Sequence, residues 1–358
     1  MKIALITGIT GQDGPYLAKF LLNKNYEVYG IYRRSSTPNF WRLQELGILK
    51  KIKLIPADMG DMTSLIEAIK ISNPDEIYNL AAQSYVGDSF NQPIITAQID
   101  ALAPLTIMEI IRNSDKKIKY YQASTSEMFG NLKNISENIV LNEETPFNPA
   151  SPYAAAKLYG FNIVKLYREA YGLFACNGIL FNHESTLRGL EFVTRKITNS
   201  VAKIKLGLQQ ELKLGDIEPK RDWGYAPDYV KAMWLMLQQD KPDDYVIATN
   251  EVHSVKEFLE EAFSNAGLNW EDYVKIEERL KRPKEVKYLK GDYSKAKEKL
   301  GWEPKVRFKE LVKLMVQKDI ERWERFKKGE AFPWDALTYP EDINIIKRSH
   351  KKLERWKK

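Results

Sequence analysis

A strand that runs straight into three spaced glycines constrains this chain more than any other feature. Lys2–Thr7 is a short apolar run, and Thr7-Gly8-Ile9-Thr10-Gly11-Gln12-Asp13-Gly14 follows it directly, ahead of a helical pattern over Tyr16–Asn23. The glycines permit a tight turn, close approach of backbone to a ligand, and close packing of helix on strand, while the free N–H groups at the helix start attract phosphate. Further runs at Glu27–Tyr32, Lys53–Pro56, Glu76–Leu80 and Lys119–Ala123 are rich in Ile, Val, Leu and Tyr without strict alternation, as strands buried on both faces are. Between and after them, Met62–Ser72, Ile94–Asn113 and Ser151–Tyr171 read as helices, and Leu173–Leu180 as another strand. The alternation predicts an α/β protein with a Rossmann-type doubly wound parallel sheet.

A length of 358 residues predicts about two domains. No internal repeat and no Gly-, Ser- or Pro-rich linker separates them, so the second is expected as a smaller α/β substrate domain interwoven with the first. The expected bounds are 1–181, with return segments near 221–252, for the dinucleotide-binding unit. Residues 182–220 and 253–325 make the second unit, and 326–358 an aromatic arm and basic terminal helix. Hydrophobic residues at 44% and charged residues at 29% exclude collagen-like and low-complexity classes. The single cysteine, Cys176, excludes an internal disulfide and a cysteine-based metal cluster, and no metal site is expected. No apolar run approaches the roughly 20 residues of a spanning helix, and a glycine motif this near Met1 leaves no room for a signal peptide. A cytoplasmic protein without a membrane partner is the expectation. Of the net charge of +7, most sits in residues 347–358, where seven Lys and Arg face Glu354 alone. Clustered cations attract nucleic-acid phosphate, but no recognition motif accompanies them. A solvated terminal helix with no nucleic-acid partner is therefore expected.

The glycine turn, with Gly8, Thr10, Gly11, Gln12, Asp13 and Gly14, is expected to hold a dinucleotide. Strand two ends in Arg33-Arg34-Ser35-Ser36, where an acidic residue would bind the ribose hydroxyl of NAD. Two guanidinium forks and two hydroxyls suit a 2′-phosphate instead, which makes NADP the expected cofactor. Asp58 would sit near the adenine. Leu80, Ala81, Ala82, Gln83 and Ser84 would lie beneath the cofactor at the carboxyl edge of the sheet.

Tyr153-Ala154-Ala155-Ala156-Lys157 sets a phenol and an ammonium four residues apart on one helix face. The lysine charge and an oxidised nicotinamide both favour the phenolate, whose ordinary pKa near 10 is too high for a base at neutral pH. Any helix can hold this pair by chance. It gains meaning from the glycine turn upstream and from Ala123-Ser124-Thr125-Ser126-Glu127-Met128-Phe129-Gly130 between them. Thr125 would bind a substrate hydroxyl. Glu127 is a surplus for plain dehydrogenation and is placed to act at a carbon next to a new ketone.

With these motifs the chain resembles the GDP-mannose 4,6-dehydratase family of extended short-chain dehydrogenase/reductases, from the first strand to about Asp319. The likeness includes Phe181-Asn182-His183-Glu184-Ser185, Phe192-Val193-Thr194-Arg195-Lys196, Arg221-Asp222-Trp223-Gly224-Tyr225, Arg282-Pro283-Lys284-Glu285 and the Thr-Ser-Glu form at 125–127. The resemblance implies oxidation at C4 of a GDP-linked sugar by Tyr153, Lys157 and Thr125. Proton removal at C5 by Glu127, loss of water from C6 and hydride return to C6 would follow. It further implies that His183 and Arg188 contact the cofactor, and that Ser84, Ser126, Glu127, Asn182, Lys196, Arg221, Arg282 and Glu285 line the substrate site. A homo-oligomer, dimer or tetramer, is expected with it.

The chain departs from the family pattern at three places. Asn-His-Glu-Ser continues as Thr186-Leu187-Arg188-Gly189 where the family has Pro-Arg-Arg-Gly. The loop Thr37-Pro38-Asn39-Phe40-Trp41-Arg42 is bulkier than the family's, and the arm after about residue 325 has no counterpart in it. The change at 186–187 beside the site makes a GDP-manno-heptose an alternative substrate to GDP-mannose. A nucleotide-sugar reductase or epimerase is opposed by Glu127. An idle NADP-binding scaffold with a basic tail is opposed by the complete Thr125, Glu127, Tyr153 and Lys157 set.

Overall fold

The computed structural model describes residues 1–37, 39–131, 139–280, 284–332 and 334. Seven parallel strands form the central sheet. They are β1 (Ile3–Thr7), β2 (Glu27–Tyr32), β3 (Lys53–Pro56), β4 (Glu76–Asn79), β5 (Lys119–Thr125), β6 (Ala175–Leu180) and the strand Asp244–Ile247. Their order is β3-β2-β1-β4-β5-β6-(Asp244–Ile247), which reverses direction between β1 and β4. A crevice opens at such a reversal, at the carboxyl ends of the strands. Helices cover both faces, with Leu17, Leu21 and Met233 in the core on one side and Leu65, Ile107 and Val164 on the other. The predicted doubly wound sheet is therefore present.

Local chemistry explains the element ends. The helix α1 runs Asp13–Asn23, three residues earlier than the apolar pattern shows, because the glycine turn leads straight into it. After α2 (Trp41–Glu45), Asp61 caps α3 (Met62–Ser72) by accepting from the backbone of Thr63 and Ser64. The long helix Pro152–Tyr171 starts on a Ser151 cap with Pro152 at its first position and ends at Gly172 with φ 66. The expected single helix over 94–113 is instead Pro93–Ala97, a π turn over Gln98–Leu102, and Ala103–Arg112. Pro104 has no N–H for the Asp100 carbonyl four residues back, so the ladder there loosens by one residue. This 20-residue run, Pro93–Arg112, holds an 18-residue window with a mean hydropathy of 1.6 and is long and apolar enough by composition to cross a bilayer, contrary to the sequence expectation. Its Ile107, Met108 and Ile111 are core side chains beneath the sheet.

A second core gathers Ile197 and Val201 of the helix Val193–Lys205, Phe258 and Phe263 of Val255–Ser264, and Leu311 and Met315 of Phe308–Lys327. Trp223, from an expected return segment of the first unit, packs in this second core. Ala296, Leu300 and Trp302 lie within the span assigned to the second unit but pack into the first core. The two units thus exchange segments more often than the sequence bounds state.

Candidate active site

A cleft of about 960 Å³ opens at the sheet reversal and runs between the two cores. Its floor is set by glycine. Gly8 has φ +66, and a Cβ there would lie 2.8 Å from the Ala81 nitrogen; a Cβ on Gly14 would lie 2.7 Å from the Gly8 oxygen. Only glycine lets this turn rest against the loop after β4. That loop hangs on Thr7, whose hydroxyl accepts from the nitrogens of Leu80 and Ala81 at 3.0 Å each and donates to Asn79 Oδ1 at 2.6 Å. Gln83 Oε1 and Asn182 Oδ1 are buried with no hydrogen-bond partner among the described residues. Two unused acceptors, a glycine cradle and a bare helix start fit a dinucleotide.

Gly8, Thr10, Gly11, Gln12, Asp13, Gly14, Arg33, Asp58 and Leu80 to Ser84 all line the cleft. The side chains of Gln12 and Asp13 are engaged within the protein. Gln12 Nε2 donates to the His183 carbonyl at 3.0 Å and Gln12 Oε1 accepts from Ser185 at 2.9 Å. His183 sits between Asp13 Oδ2 and the Phe181 carbonyl, each 2.8 Å from a ring nitrogen. Both neighbours are acceptors, so both ring nitrogens must donate and the ring is an imidazolium. Burial pulls its pKa down, but the Asp13 charge and hydrogen bond and the Phe181 carbonyl outweigh burial and leave it above 6.5. Asp13 is conversely left below 3.8, because His183 and Arg188 outweigh its burial. Arg34, Ser35 and Ser36 are exposed and lie outside the cleft lining, with Ser35 donating to the Thr37 carbonyl at 2.6 Å. Of the Arg33–Ser36 quartet, the structure brings only Arg33 to the cleft.

Thr125, Ser126, Glu127, Tyr153 and Lys157 meet at the centre of the same cleft. Pro152–Tyr171 turns Tyr153 and Lys157 to one side, and Lys157 Nζ donates to the Ala123 carbonyl at 3.0 Å, 5.8 Å from the Tyr153 ring centre. At the end of β5, Thr125 Oγ1 accepts from the Glu127 nitrogen at 3.2 Å, which fixes the turn that presents the carboxylate. Burial drives the Tyr153 phenol well above its ordinary pKa, the Asp100 charge adds to this, and Thr125 offsets part. Burial likewise lowers Lys157, against the pull of Asp100. Burial thus favours the protonated phenol.

Asp100 escaped the sequence reading. It is buried in the π turn, Oδ1 accepts from the Gln83 nitrogen at 2.9 Å, and Oδ2 has no hydrogen-bond partner among the described residues. Burial raises it to about 6, against the Lys157 charge. A lone Asp amid Ile99, Ala101 and Leu102 is the signal that would have found it.

On the opposite wall, Arg221 Nη2 pairs with Glu285 at 2.7 Å and Nε lies 3.9 Å from Glu127 Oε1. Its neighbour Asp222 is fully buried and accepts from the nitrogens of Thr249 and Asn250 and from the Thr249 hydroxyl, locking the strand in place. Asn182, His183 and Lys196 also line the cleft, with Lys196 Nζ donating to the Lys213 carbonyl at 2.7 Å. Arg188 reaches in between Glu184, 3.1 Å away, and the Phe192 face at 3.6 Å. Arg282 lies outside the described residues. Thr186 and Leu187 do not line the cleft. The Thr186 carbonyl accepts from Arg195 and Arg322, the Leu187 carbonyl accepts from Arg42, and the Leu187 side chain is buried. The departure at 186–187 therefore changes no residue of the cleft lining.

A family profile described as GDP-mannose 4,6 dehydratase matches residues 5–315. GDP-mannose 4,6 dehydratase 1 of Arabidopsis thaliana is 54% identical over 350 residues, covering 95% of this chain and 96% of the relative. The human GDP-mannose 4,6 dehydratase is 50% identical over 345 residues, covering 89% and 92%. Among solved structures, the dTDP-glucose 4,6-dehydratase DesIV of Streptomyces venezuelae, with NAD and TYD bound, is 21% identical with a TM-score of 0.79 over 93% of this chain and 100% of that one. At that identity the likeness establishes the fold.

Proposed function

The chain belongs to the GDP-mannose 4,6-dehydratase family, and from that premise we propose that it converts GDP-D-mannose to GDP-4-keto-6-deoxy-D-mannose. The observation that carries this reading is the meeting of Glu127 with Thr125, Tyr153 and Lys157 in one cleft. A reductase or 4-epimerase has no work for a buried carboxylate there.

Gly8, Gly14 and the α1 start would hold a nicotinamide dinucleotide, with Gln83 and Asn182 as acceptors. When bound, it supplies the acceptor that takes the C4 hydride and gives it back at C6. Thr125 and Tyr153 bind the sugar 4-hydroxyl, and Tyr153 takes its proton as the C4–H bond breaks. Lys157, pinned to the Ala123 carbonyl, stabilises the phenolate. The resulting 4-ketone acidifies C5–H, and Glu127 removes that proton and hands it to the C6 hydroxyl, which departs as water. As hydride arrives at C6, C5 takes a proton from solvent while Tyr153 releases the one it took from the 4-hydroxyl, which restores the phenolate and completes the 4-keto-6-deoxy sugar. Arg221 and Lys196 supply the positive wall that the GDP diphosphate needs, and Arg188 faces the dinucleotide. NADP is the proposed dinucleotide, since Arg33 is the residue that β2 brings to the cleft where an acid would mark NAD.

A homo-oligomer is also proposed. Ile94 and Leu102 on the Pro93–Arg112 run and Tyr159 and Leu166 on Pro152–Tyr171 are large apolar side chains left exposed on two packed helices. A second copy would cover them, and a monomer in light scattering would contradict it. The catalytic proposal is tested by mass spectrometry of GDP-mannose and GDP-manno-heptose incubated separately with the protein and NADP⁺. The expected result is loss of one water from GDP-mannose without net reduction of NADP⁺. Preferential loss from the heptose would move the substrate, and no loss from either would end the dehydratase reading.

A further inference from the structure

The aromatic arm after the helix Phe308–Lys327 is the one feature of the sequence that the reaction does not use. It is also where all three departures from the family pattern meet. Phe332 stacks on Phe326 at 4.6 Å and on Trp334 at 4.7 Å, and Trp334 meets Trp41 of α2 edge-on at 5.8 Å. The guanidinium groups of Arg195 and Arg322 lie 5.5 and 5.7 Å from the Trp334 ring. Both arginines are buried, and Arg195 Nη2 and Arg322 Nε have no hydrogen-bond partner among the described residues. Bare buried N–H groups are costly, and an aromatic face is the cover that the structure offers these cations.

From Trp41 the contact passes to the cofactor cradle. Arg42, half-buried at the same junction, donates Nη1 to the Thr10 carbonyl at 3.0 Å and Nε to the Leu187 carbonyl at 2.8 Å. One planar fork therefore joins the glycine turn to the turn after Glu184. Glu45, at the end of α2, is held by Arg322 at 3.3 Å and Lys318 at 3.4 Å. At the other end of the loop, Tyr32 packs edge-on against Phe40 at 5.1 Å. The exposed segment from Arg33 to Thr37 is thus strung between β2 and an α2 whose far side rests on the arm.

We propose that Phe332 and Trp334 clamp α2, and that through Arg42 this clamp sets the dinucleotide site, above all the Arg33 loop that meets the 2′-phosphate. This rests on the reading of the cleft as an NADP site. Arg42 and Trp334 are positioning residues, since neither lines the cleft. A loosened α2 frees the Arg33 loop first, so discrimination between NADP⁺ and NAD⁺ is lost before binding as such.

The test is titration calorimetry of the full chain with NADP⁺ and with NAD⁺, for wild type, Trp334→Ala, Trp334→Phe, Arg42→Lys and a chain lacking 335–358. Trp334→Ala and Arg42→Lys should weaken NADP⁺ ten-fold or more and NAD⁺ by three-fold or less. Lysine keeps the charge but cannot fork between two carbonyls. Trp334→Phe should recover NADP⁺ affinity to within three-fold, and the 335–358 deletion should bind as wild type. The proposal is overturned if folded Trp334→Ala and Arg42→Lys bind NADP⁺ within two-fold of wild type, or if they lose both dinucleotides equally. It is overturned too if the deletion alone reproduces the loss. A wild type that binds NAD⁺ as tightly as NADP⁺ would refute the NADP reading itself, and with it the phosphate-loop role.

Discussion

Thr7→Val removes one oxygen at the centre of the cofactor floor. Thr7 is 1% exposed, and valine matches its shape, so no cavity forms. Three hydrogen bonds disappear, two from the nitrogens of Leu80 and Ala81 and one to Asn79. Leaving a buried polar group unpaired costs about 1–3 kcal/mol. The loop residues Leu80 and Ala81 are only partly buried, which favours the low end, so the sum is roughly 3 kcal/mol. At about 2 °C per kcal/mol for a chain of this size, the melting temperature should fall by roughly 6 °C. Thr7→Ser keeps the hydroxyl and loses one methyl, worth about 1 kcal/mol. Scanning calorimetry of the three proteins is the assay, with dinucleotide affinity falling alongside stability in Thr7→Val alone. A valine variant melting within about 2 °C of wild type, or above the serine variant, would refute the hub role of this hydroxyl.

Glu127→Gln should still oxidise C4, so reduced nicotinamide accumulates in a single turnover while dehydration slows about 10²–10⁴-fold; dehydration within ten-fold of wild type would remove Glu127 from the scheme. Tyr153→Phe should abolish even the first hydride transfer, and formation of reduced nicotinamide at the wild-type rate would contradict its role. The His183–Asp13 pair carries a signed pH dependence. His183 is raised above 6.5, so its contribution to stability is full below 6.5 and fades as pH climbs through the folded-state value; Asp13 is lowered below 3.8, so its contribution is full above 3.8 and fades as pH falls through its own. The stability difference between wild type and His183→Gln should therefore be largest between pH 3.8 and 6.5 and shrink above. Denaturant titrations at stepped pH that show a flat or growing difference from pH 6.5 to 9 would refute the imidazolium assignment.

The parallel sheet was legible because apolar runs and glycine spacing are local signals, and β1 with α1 lies where Gly8 and Gly14 require it. The meeting of Thr125, Glu127, Tyr153 and Lys157 in one cleft was legible because they sit on one strand end and one helix start, close in sequence to recognisable motifs. What the sequence hid depends on distant contacts. Asp100 matters because the loosened helix turn that holds it brings its carboxylate to the Gln83 nitrogen and into the field of Lys157. Gln12 and Asp13 look like ligand groups beside the glycines, yet they face His183 and Ser185, some 170 residues away along the chain. The Thr186-Leu187 change reads as an active-site difference because of its neighbours, but neither residue lines the cleft and their carbonyls accept from Arg42, Arg195 and Arg322.

The central claim is that one cleft oxidises C4, expels the C6 hydroxyl and delivers the same hydrogen to C6. GDP-mannose carrying deuterium at C4 tests this most directly, with the product read by NMR and mass spectrometry. The account predicts a 4-keto-6-deoxy product that has lost one water and holds the deuterium at C6, with unlabelled NADPH in the medium leaving no mark. A product without deuterium, or a 4-keto sugar that keeps its C6 hydroxyl, would contradict it.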